Sequence, residues 1–296
     1  MTSPDTAQKT ASSRKPRDDE VDFYGMTHTG KTRAVNQDHF LICSLRKQVQ
    51  VHHTSLPSAD QLQLTGERMA FLAIVADGVG GGTKGEAAAR LALETVTRYA
   101  TLSMKCYQDL NATDDQAFLD ALQEAAWACH ASVVVEAEFD PDRRGMATTL
   151  TLWLAVWPRA YLLQVGDSRF YTFLDDKLTR ISRDQTMAQE LVDQGVLTNS
   201  TAVNTKWAHV LSSSIGGQQT APLVTRLDQD WNDINLLCSD GLTKHVSDER
   251  IAERLRGMTS AKQVCQDLMQ DALNDGGSDN ITVIVGRDVK KNHAGG

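Results

Sequence analysis

The 296-residue sequence contains no apolar run close to the roughly 20 residues that a membrane-spanning helix needs. Its N-terminus is polar and has no apolar segment of the kind found in secretory signals. Basic residues are also in deficit: 30 Lys and Arg against 38 Asp and Glu give a net charge of -8. Because nucleic acid and anionic membranes bind basic surfaces, both are disfavoured as partners. The sequence therefore predicts a cytoplasmic protein.

Cysteine is scarce as well. The five cysteines are scattered along the chain, odd in number and without C-x-x-C spacing. This pattern is typical of reduced thiols in a cytosolic protein and disfavours both a disulfide framework and a zinc site.

Familiar catalytic signatures are missing too. There is no G-x-S-x-G elbow, no C-x5-R phosphatase loop and no G-x-x-x-x-G-K-[ST] phosphate loop. The glycines at 80–82, followed by Thr83 and Lys84, have the wrong spacing for a nucleotide site. The chemistry must therefore come from another set of residues.

The sequence does contain a repeated pattern in which apolar runs begin or end at an aspartate. The run 71–76 ends at Asp77-Gly78, the run 161–165 is followed by Gly166-Asp167-Ser168, and the run 234–238 is followed by Ser239-Asp240-Gly241. The runs 40–43 and 281–285 instead begin just after an aspartate. Ends of neighbouring antiparallel strands meet at one edge, so these side chains can converge. The alternative is five unrelated turns, since Asp-Gly is common in turns. The five aspartates are Asp38, Asp77, Asp167, Asp240 and Asp279.

Carboxylates that lie close together raise one another's pKa unless cations neutralise them. Oxygen ligands without Cys or His favour Mg²⁺ or Mn²⁺ over zinc. Arg33 stands five residues before Asp38 and could bind a phosphate in a bidentate manner, although a plain surface arginine is the alternative. Two ions about 4 Å apart could also deprotonate a water for attack on phosphorus.

The apolar periodicity predicts an α+β fold with antiparallel sheets, because strands and helix pairs follow one another without a regular β-α-β rhythm. Helices are expected at 85–101 and after a Thr113–Gln116 capping box. Three consecutive strands between 150 and 173 are expected to form a meander, and the polar segment 182–220 a flap. Residues 1–20 are expected to be a disordered leader, 21–288 a single domain and 289–296 a tail.

Six short blocks in order make the chain resemble the metal-dependent serine/threonine protein phosphatases of type 2C, also called PPM, and their bacterial branch. The blocks span most of the chain, and six in order are highly specific. They are Arg33-Ala-Val-Asn-Gln-Asp38, Ala76-Asp-Gly-Val-Gly-Gly81, Gly145-Met-Ala-Thr-Thr149, Val165-Gly-Asp-Ser-Arg169, Ser239-Asp-Gly-Leu242 and Ser278-Asp-Asn-Ile-Thr282.

The resemblance implies a four-layer α-β-β-α sandwich of two antiparallel sheets flanked by helix pairs, with a dinuclear Mn²⁺ or Mg²⁺ site at one edge. Asp77 would bridge both ions, the carbonyl of Gly78 would bind one, and Asp240 and Asp279 would bind the other. Asp167 would hold a third, weaker ion together with Asp240.

The resemblance also implies how the substrate is handled. Asp38 would act at the metal-bound waters and Arg33 would bind the substrate phosphate. Two positions depart from the family pattern. Gln37 stands where many relatives carry Glu, which removes one carboxylate. Val79 stands where animal-type members carry a histidine proposed as the general acid, so the leaving oxygen would need another proton source.

The function that this resemblance implies is hydrolysis of phosphoserine and phosphothreonine in proteins by a hydroxide that bridges two ions, without a phosphoenzyme. Expected partners are phosphorylated proteins and a cognate serine/threonine kinase or its targets, and a monomer is expected. Two alternatives stay open: a catalytically weak or inactive phosphatase-fold module that binds a regulatory partner, and a phosphatase of small phosphate esters.

Overall fold

The computed structural model describes residues 14–48, 65–81, 83–102 and 115–291. The strands are β1 (Val21–His28), β2 (Asp38–Gln48), β3 (Thr65–Val79), β4 (Ala147–Thr148), β5 (Leu150–Val156), β6 (Arg159–Val165), β7 (Arg169–Leu174), β8 (Lys177–Arg180), β9 (Leu223–Asp228), β10 (Ile234–Cys238) and β11 (Ile281–Asp288). The helices are α1 (Lys84–Leu102), α2 (Asp115–Phe139), α3 (Met187–Asp193), α4 (Asn199–Ala202), α5 (Asp240–Thr243), α6 (Asp248–Arg256) and α7 (Ala261–Asn274).

The strands form two antiparallel sheets. One has the order β1-β11-β10-β7-β8, and the other has the order β2-β3-β5-β6-β9 with β4 paired to β3. Strands such as β5 and β10 are buried along nearly their whole length, which explains their continuous apolar sequences. The α+β class and the two antiparallel sheets predicted above are confirmed.

Three apolar layers hold the sandwich together. The first joins α1 and α2 to the β2–β9 sheet, and its buried residues include Leu72, Val96, Leu122 and Leu152. The second lies between the sheets and includes Val75, Trp153, Phe170 and Leu237. The third joins α6 and α7 to the β1–β8 sheet and includes Leu236, Ile251, Val264 and Leu268. Helix pairs therefore cover the outer faces of both sheets.

The expected meander is wrong in its third strand. β5 pairs with β6, but β7 lies in the other sheet, where it pairs with β10 and β8. The chain crosses between the sheets at Gly166, whose φ of +104° favours glycine. A Cβ there would lie 2.6 Å from the Thr149 side chain. This crossing brings Asp167 to the rim where strands of both sheets end.

Residues 14–20 make contacts that the sequence pattern did not predict. A short 3₁₀ helix covers Asp18–Glu20, and the Glu20 side chain is fully buried. Its carboxylate accepts hydrogen bonds from the Arg14 guanidinium at 2.5 and 2.6 Å and from the backbone N–H of Arg17 and Lys291. Residues 1–13, 292–296 and the capping threonine Thr113 lie outside the described residues.

The segment 182–220 contains the helix α3, and the short strand β8 lies just before it. Within the described ranges, every helix is too short or too polar to cross a membrane.

Candidate metal centre

Asp38 and Asp77 lie directly opposite each other on the antiparallel strands β2 and β3. Asp38 begins β2 and is 2% exposed, while Asp77 follows the fully buried run at the end of β3. This register places two carboxylates at one end of the β2–β9 sheet. The strand-tip pattern of the sequence thus corresponds to a real juxtaposition.

A chain of hydroxyl groups holds one oxygen of Asp38. The hydroxyls of Ser239 and Thr282 each donate a hydrogen bond to Asp38 Oδ2 at 2.7 Å. The Thr282 hydroxyl also lies 2.8 Å from the hydroxyl of Thr27, which accepts a hydrogen bond from Asn36 Nδ2 at 2.9 Å. Asp38 Oδ1 is buried and has no partner among the described residues. One carboxylate oxygen is therefore fixed and the other is left for a ligand.

Burial raises the pKa of Asp38 to about 6, even though the hydroxyls of Thr282 and Ser239 oppose the shift. Burial also raises the pKa of Asp77 well above its ordinary value, and the neighbouring carboxylates of Asp38 and Asp240 add to it. A buried carboxylate that faces a second, partly exposed carboxylate without a cation is costly to ionise. The site is thus electrostatically suited to positive charge.

Asp167 and Asp240 approach the pair from the other sheet. Asp167 is 8% exposed, and its pKa rises to about 8 because of burial first and the charges of Asp240 and Asp184 next. Asp240 opens α5 directly after β10, and its Oδ1 is buried without a partner among the described residues. Both lie where the sequence pattern placed them, at the ends of strands.

Asp279 differs from the other four aspartates because two cations hold it. Arg33 donates from Nε at 2.7 Å and from Nη2 at 3.0 Å, and Lys244 Nζ donates at 2.6 Å. Burial alone would raise the pKa of Asp279, but these hydrogen bonds outweigh it and lower the pKa. Arg33 therefore reaches the predicted site but is engaged with a carboxylate.

Lys244 is the main residue of this site that the sequence analysis did not predict. Its ammonium group lies 2.6 Å from Asp240 Oδ2 and 2.6 Å from Asp279 Oδ2. The i,i+4 spacing from Asp240 was a usable signal, because residues four apart on a helix are neighbours. Its second contact, 35 residues away, carries no local signal.

Gly78 packs against Gly85 at the start of α1. A Cβ on Gly78 would lie 2.2 Å from the Gly85 backbone, so neither position has room for a side chain. This close approach supplies a packing reason for the glycine next to Asp77. Gln37 donates from Nε2 to the Gly80 carbonyl at 2.9 Å, and Val79 is 40% exposed at the end of β3.

The donor set fits divalent ions in chemical type: oxygen atoms only, with buried partnerless atoms on Asp38 and Asp240. The positions of these oxygen atoms must also fit an ion. Across the described part of the chain, no three His, Cys, Asp or Glu side chains are grouped so that they could hold a metal ion. Asp279 is instead paired with Lys244 and Arg33. An ion would have to rearrange these contacts.

A cleft of about 550 Å³ opens beside Asp167 and Asp240, under the segment 182–220. Residues of α3, α4 and the loop after them line one side, and Lys244 lines the other. The segment expected to be a flap therefore borders the acidic rim, by which we mean the strand ends that carry Asp38, Asp77, Asp167, Asp240 and Asp279.

Fold and rim together define a class: an α-β-β-α sandwich with an acidic, oxygen-rich site at one edge of its sheets. The sequence profile of the Protein phosphatase 2C family matches residues 47–276, more than half of the chain. The chain belongs to the protein phosphatase 2C family.

Among its relatives is the serine/threonine protein phosphatase PstP of Mycobacterium tuberculosis, 36% identical over 216 residues. The match covers 73% of this chain but only 40% of the length of PstP. The serine/threonine phosphatase stp of Listeria innocua is 27% identical over 217 residues, covering 72% of this chain and 83% of the relative.

A crystal structure of the PstP catalytic domain in complex with two manganese ions superposes with a TM-score of 0.70 at 31% identity. The superposition covers 91% of this chain and 99% of that domain. Both relatives named here are thus serine/threonine phosphatases, and one of the similar structures contains two manganese ions.

Proposed function

We propose that this protein is a metal-dependent phosphatase that hydrolyses phosphoserine and phosphothreonine in proteins. The observation that carries the proposal is the face-to-face pair of carboxylates on β2 and β3, the buried Asp38 and the partly exposed Asp77. Both have a raised pKa, and one oxygen of Asp38 has no partner among the described residues. Family membership supports the same reaction.

The residues proposed to hold two Mn²⁺ or Mg²⁺ ions are Asp77, the Gly78 carbonyl, Asp240 and Asp279, with Asp167 available for a third ion. When bound, the ions would polarise the phosphate and supply a strongly nucleophilic water for attack on phosphorus without a phosphoenzyme. Asp38 is proposed to orient that water and accept its proton through the oxygen that no hydroxyl group holds.

Arg33 is proposed to bind the substrate phosphate. Its side chain is half exposed, at 51%, and its guanidinium lies at the rim beside Asp279. A planar guanidinium can bind two phosphate oxygens at once, so it can exchange one oxyanion for another without leaving the rim. Val79 cannot supply a proton to the leaving oxygen, so that proton must come from solvent or from the attacking water.

The proposed substrates are phosphoproteins of a serine/threonine kinase, in the cytoplasm, acted on by a monomer. A second candidate is a phosphatase-fold module of little activity that binds a regulatory partner. The double engagement of Asp279 by Arg33 and Lys244 favours it, because both cations oppose a metal ion at that carboxylate.

The test is hydrolysis of p-nitrophenyl phosphate and of a phosphothreonine peptide by purified protein with Mn²⁺ or Mg²⁺, and with EDTA as the control. Turnover of the peptide that EDTA abolishes is expected. Turnover of p-nitrophenyl phosphate alone would favour a phosphatase of small esters. No turnover of either substrate would leave the partner-binding module as the better account.

A further inference from the structure

Lys244 is the feature of the rim that the phosphatase mechanism leaves unused. It follows α5, one helical turn after Asp240, and its side chain is 22% exposed. Its ammonium bridges Asp240 Oδ2 and Asp279 Oδ2 at 2.6 Å each. Carboxylates on both sides raise the pKa of Lys244 in spite of its burial, so it stays charged.

The two carboxylates that it bridges are the ones proposed to bind the same metal ion. An ammonium group and a divalent ion cannot occupy the space between two oxygens together. Binding of the ion must therefore displace the lysine, and the ion pairs that are lost reduce the net gain in free energy.

The neighbouring cleft has room for the displaced Lys244 side chain. The cleft beside the rim is lined by Lys244 and by the carboxylates of Asp167 and Asp248. The charge of Lys244 already acts on Asp167, where it lowers the pKa against the effect of burial. A rotation of the side chain toward Asp167 would keep the ammonium paired.

We propose that Lys244 is a resident cation that stabilises the metal-free protein and competes with the metal ion for Asp240 and Asp279. The inference depends on the proposed metal site. It makes ion binding an exchange of one cation for another and lowers the affinity of this position. A purely structural role for Lys244 predicts something different, namely that its loss weakens both folding and metal binding.

The experiment compares wild-type protein with Lys244→Gln, which removes the charge, and Lys244→Arg, which keeps it. Lys177→Gln on the exposed strand β8 is the matched control for loss of one lysine charge. Melting temperature in EDTA reports the stability of the metal-free state. Calorimetric titration with Mn²⁺ reports the dissociation constant of each ion.

Lys244→Gln is expected to melt at a lower temperature than wild type in EDTA. It is also expected to bind the more weakly bound of the two Mn²⁺ ions about tenfold or more tightly, because a neighbouring charge acts on this scale. Lys244→Arg and Lys177→Gln are expected to stay near wild type in both measurements. Unchanged or weaker Mn²⁺ binding in Lys244→Gln, or an unchanged melting temperature in EDTA, overturns the inference.

Failure of the metal site itself gives a different pattern. If neither wild type nor Lys244→Gln binds Mn²⁺, both the proposed function and this inference fail. If only Lys244→Gln binds it, the metal site exists and the inference holds in its strongest form. Tight binding by wild type that Lys244→Gln leaves unaltered retains the proposed function and removes only the role of Lys244.

Discussion

Glu20 and Asp38 are both buried carboxylates, and they lie near opposite ends of the β1–β11 strand pair. Glu20 is held by Arg14 and by two backbone N–H groups, and the hydrogen bond from Arg14 is the largest cause of its lowered pKa. Asp38 has only hydroxyl partners on one oxygen and none on the other, and burial raises its pKa to about 6.

The difference separates a structural charge from one kept for a ligand. A buried carboxylate is tolerated in a fold when donors satisfy it, as they do at Glu20. A cluster of buried carboxylates without enough donors is costly, and such clusters concentrate at functional sites. At the acidic rim, the unfavourable free energy of ionising these carboxylates is therefore present in the metal-free protein, and binding of cations would remove it.

The largest expected effect is the loss of activity in Asp240→Asn. Changing even an outer partner of a metal centre costs about 10–100-fold, so replacing a ligand should lower kcat/KM by more than about 100-fold. Steady-state kinetics with Mn²⁺ checks this, and circular dichroism should show an intact fold. Asp228→Asn, at an 80% exposed carboxylate, is the control. Wild-type rates in Asp240→Asn would remove Asp240 from the site.

Thr282→Val should have a smaller effect on activity, about tenfold in kcat. The Thr282 hydroxyl donates to Asp38 and lowers its pKa, so its removal raises that pKa. The acidic limb of the pH–rate profile should therefore move to higher pH. Thr179→Val on the exposed strand β8 is the control. An unchanged profile would show that Asp38 does not titrate in turnover.

The stability of the metal-free protein should fall as pH rises. Asp38, with a pKa of about 6, and Asp167, with one of about 8, keep protons in the folded state above the ordinary carboxyl pKa of 3.8. The unfolded chain binds fewer protons in this window, so the free energy of unfolding decreases from about pH 4 to about pH 8.

Asp288, near the opposite end of β11, also has a pKa raised to about 6 by burial, so the difference between metal-loaded and metal-free protein is the informative quantity. Mn²⁺ replaces protons at the rim only. The gain in melting temperature with Mn²⁺ should be several degrees larger at about pH 8 than at about pH 5. An equal gain at both values would contradict the assignment of the raised pKa to the metal site.

Glu20→Gln should have the smallest effect on function. It should lower the melting temperature by a few degrees and leave Mn²⁺ affinity unchanged, because Glu20 lies far from the rim. Its pKa is lowered in the folded state, so its contribution is present above the ordinary carboxyl pKa and disappears as pH falls below it. Glu138→Gln, at an exposed position of α2, is the control. A change in Mn²⁺ affinity in Glu20→Gln would contradict the view that Glu20 is structural and independent of the metal site.

The strand tips were predictable because their signals are local. An apolar run that stops at an aspartate shows in the sequence both the strand and the carboxylate at its end. In the structure the charges of the other four aspartates act on Asp77. The partners of these carboxylates were less accessible. Thr282 is 244 residues away from Asp38 in the sequence, and Lys244 is 35 residues away from Asp279. Only the packing of the folded chain brings these partners together.

One wrong strand pairing and one unpredicted contact have the same origin. β7 was expected beside β6 because the turn between them is short, but strand pairing depends on which sheet offers a partner, and β10 provides it. Glu20 lies at the end of the segment expected to be a leader, and the sequence does not predict its contacts. Its burial depends on Arg14 and on the backbone of Lys291, and no local pattern reveals that contact.

The central claim is that the aspartates at the rim bind metal ions. It is tested most directly by calorimetric titration of the metal-free protein with Mn²⁺, wild type beside Asp77→Asn. The account predicts binding of two ions to wild type and loss of that binding in a folded Asp77→Asn protein, because Asp77 is among the residues that would hold the ions. Equal binding by the two proteins, or none by wild type, would contradict it.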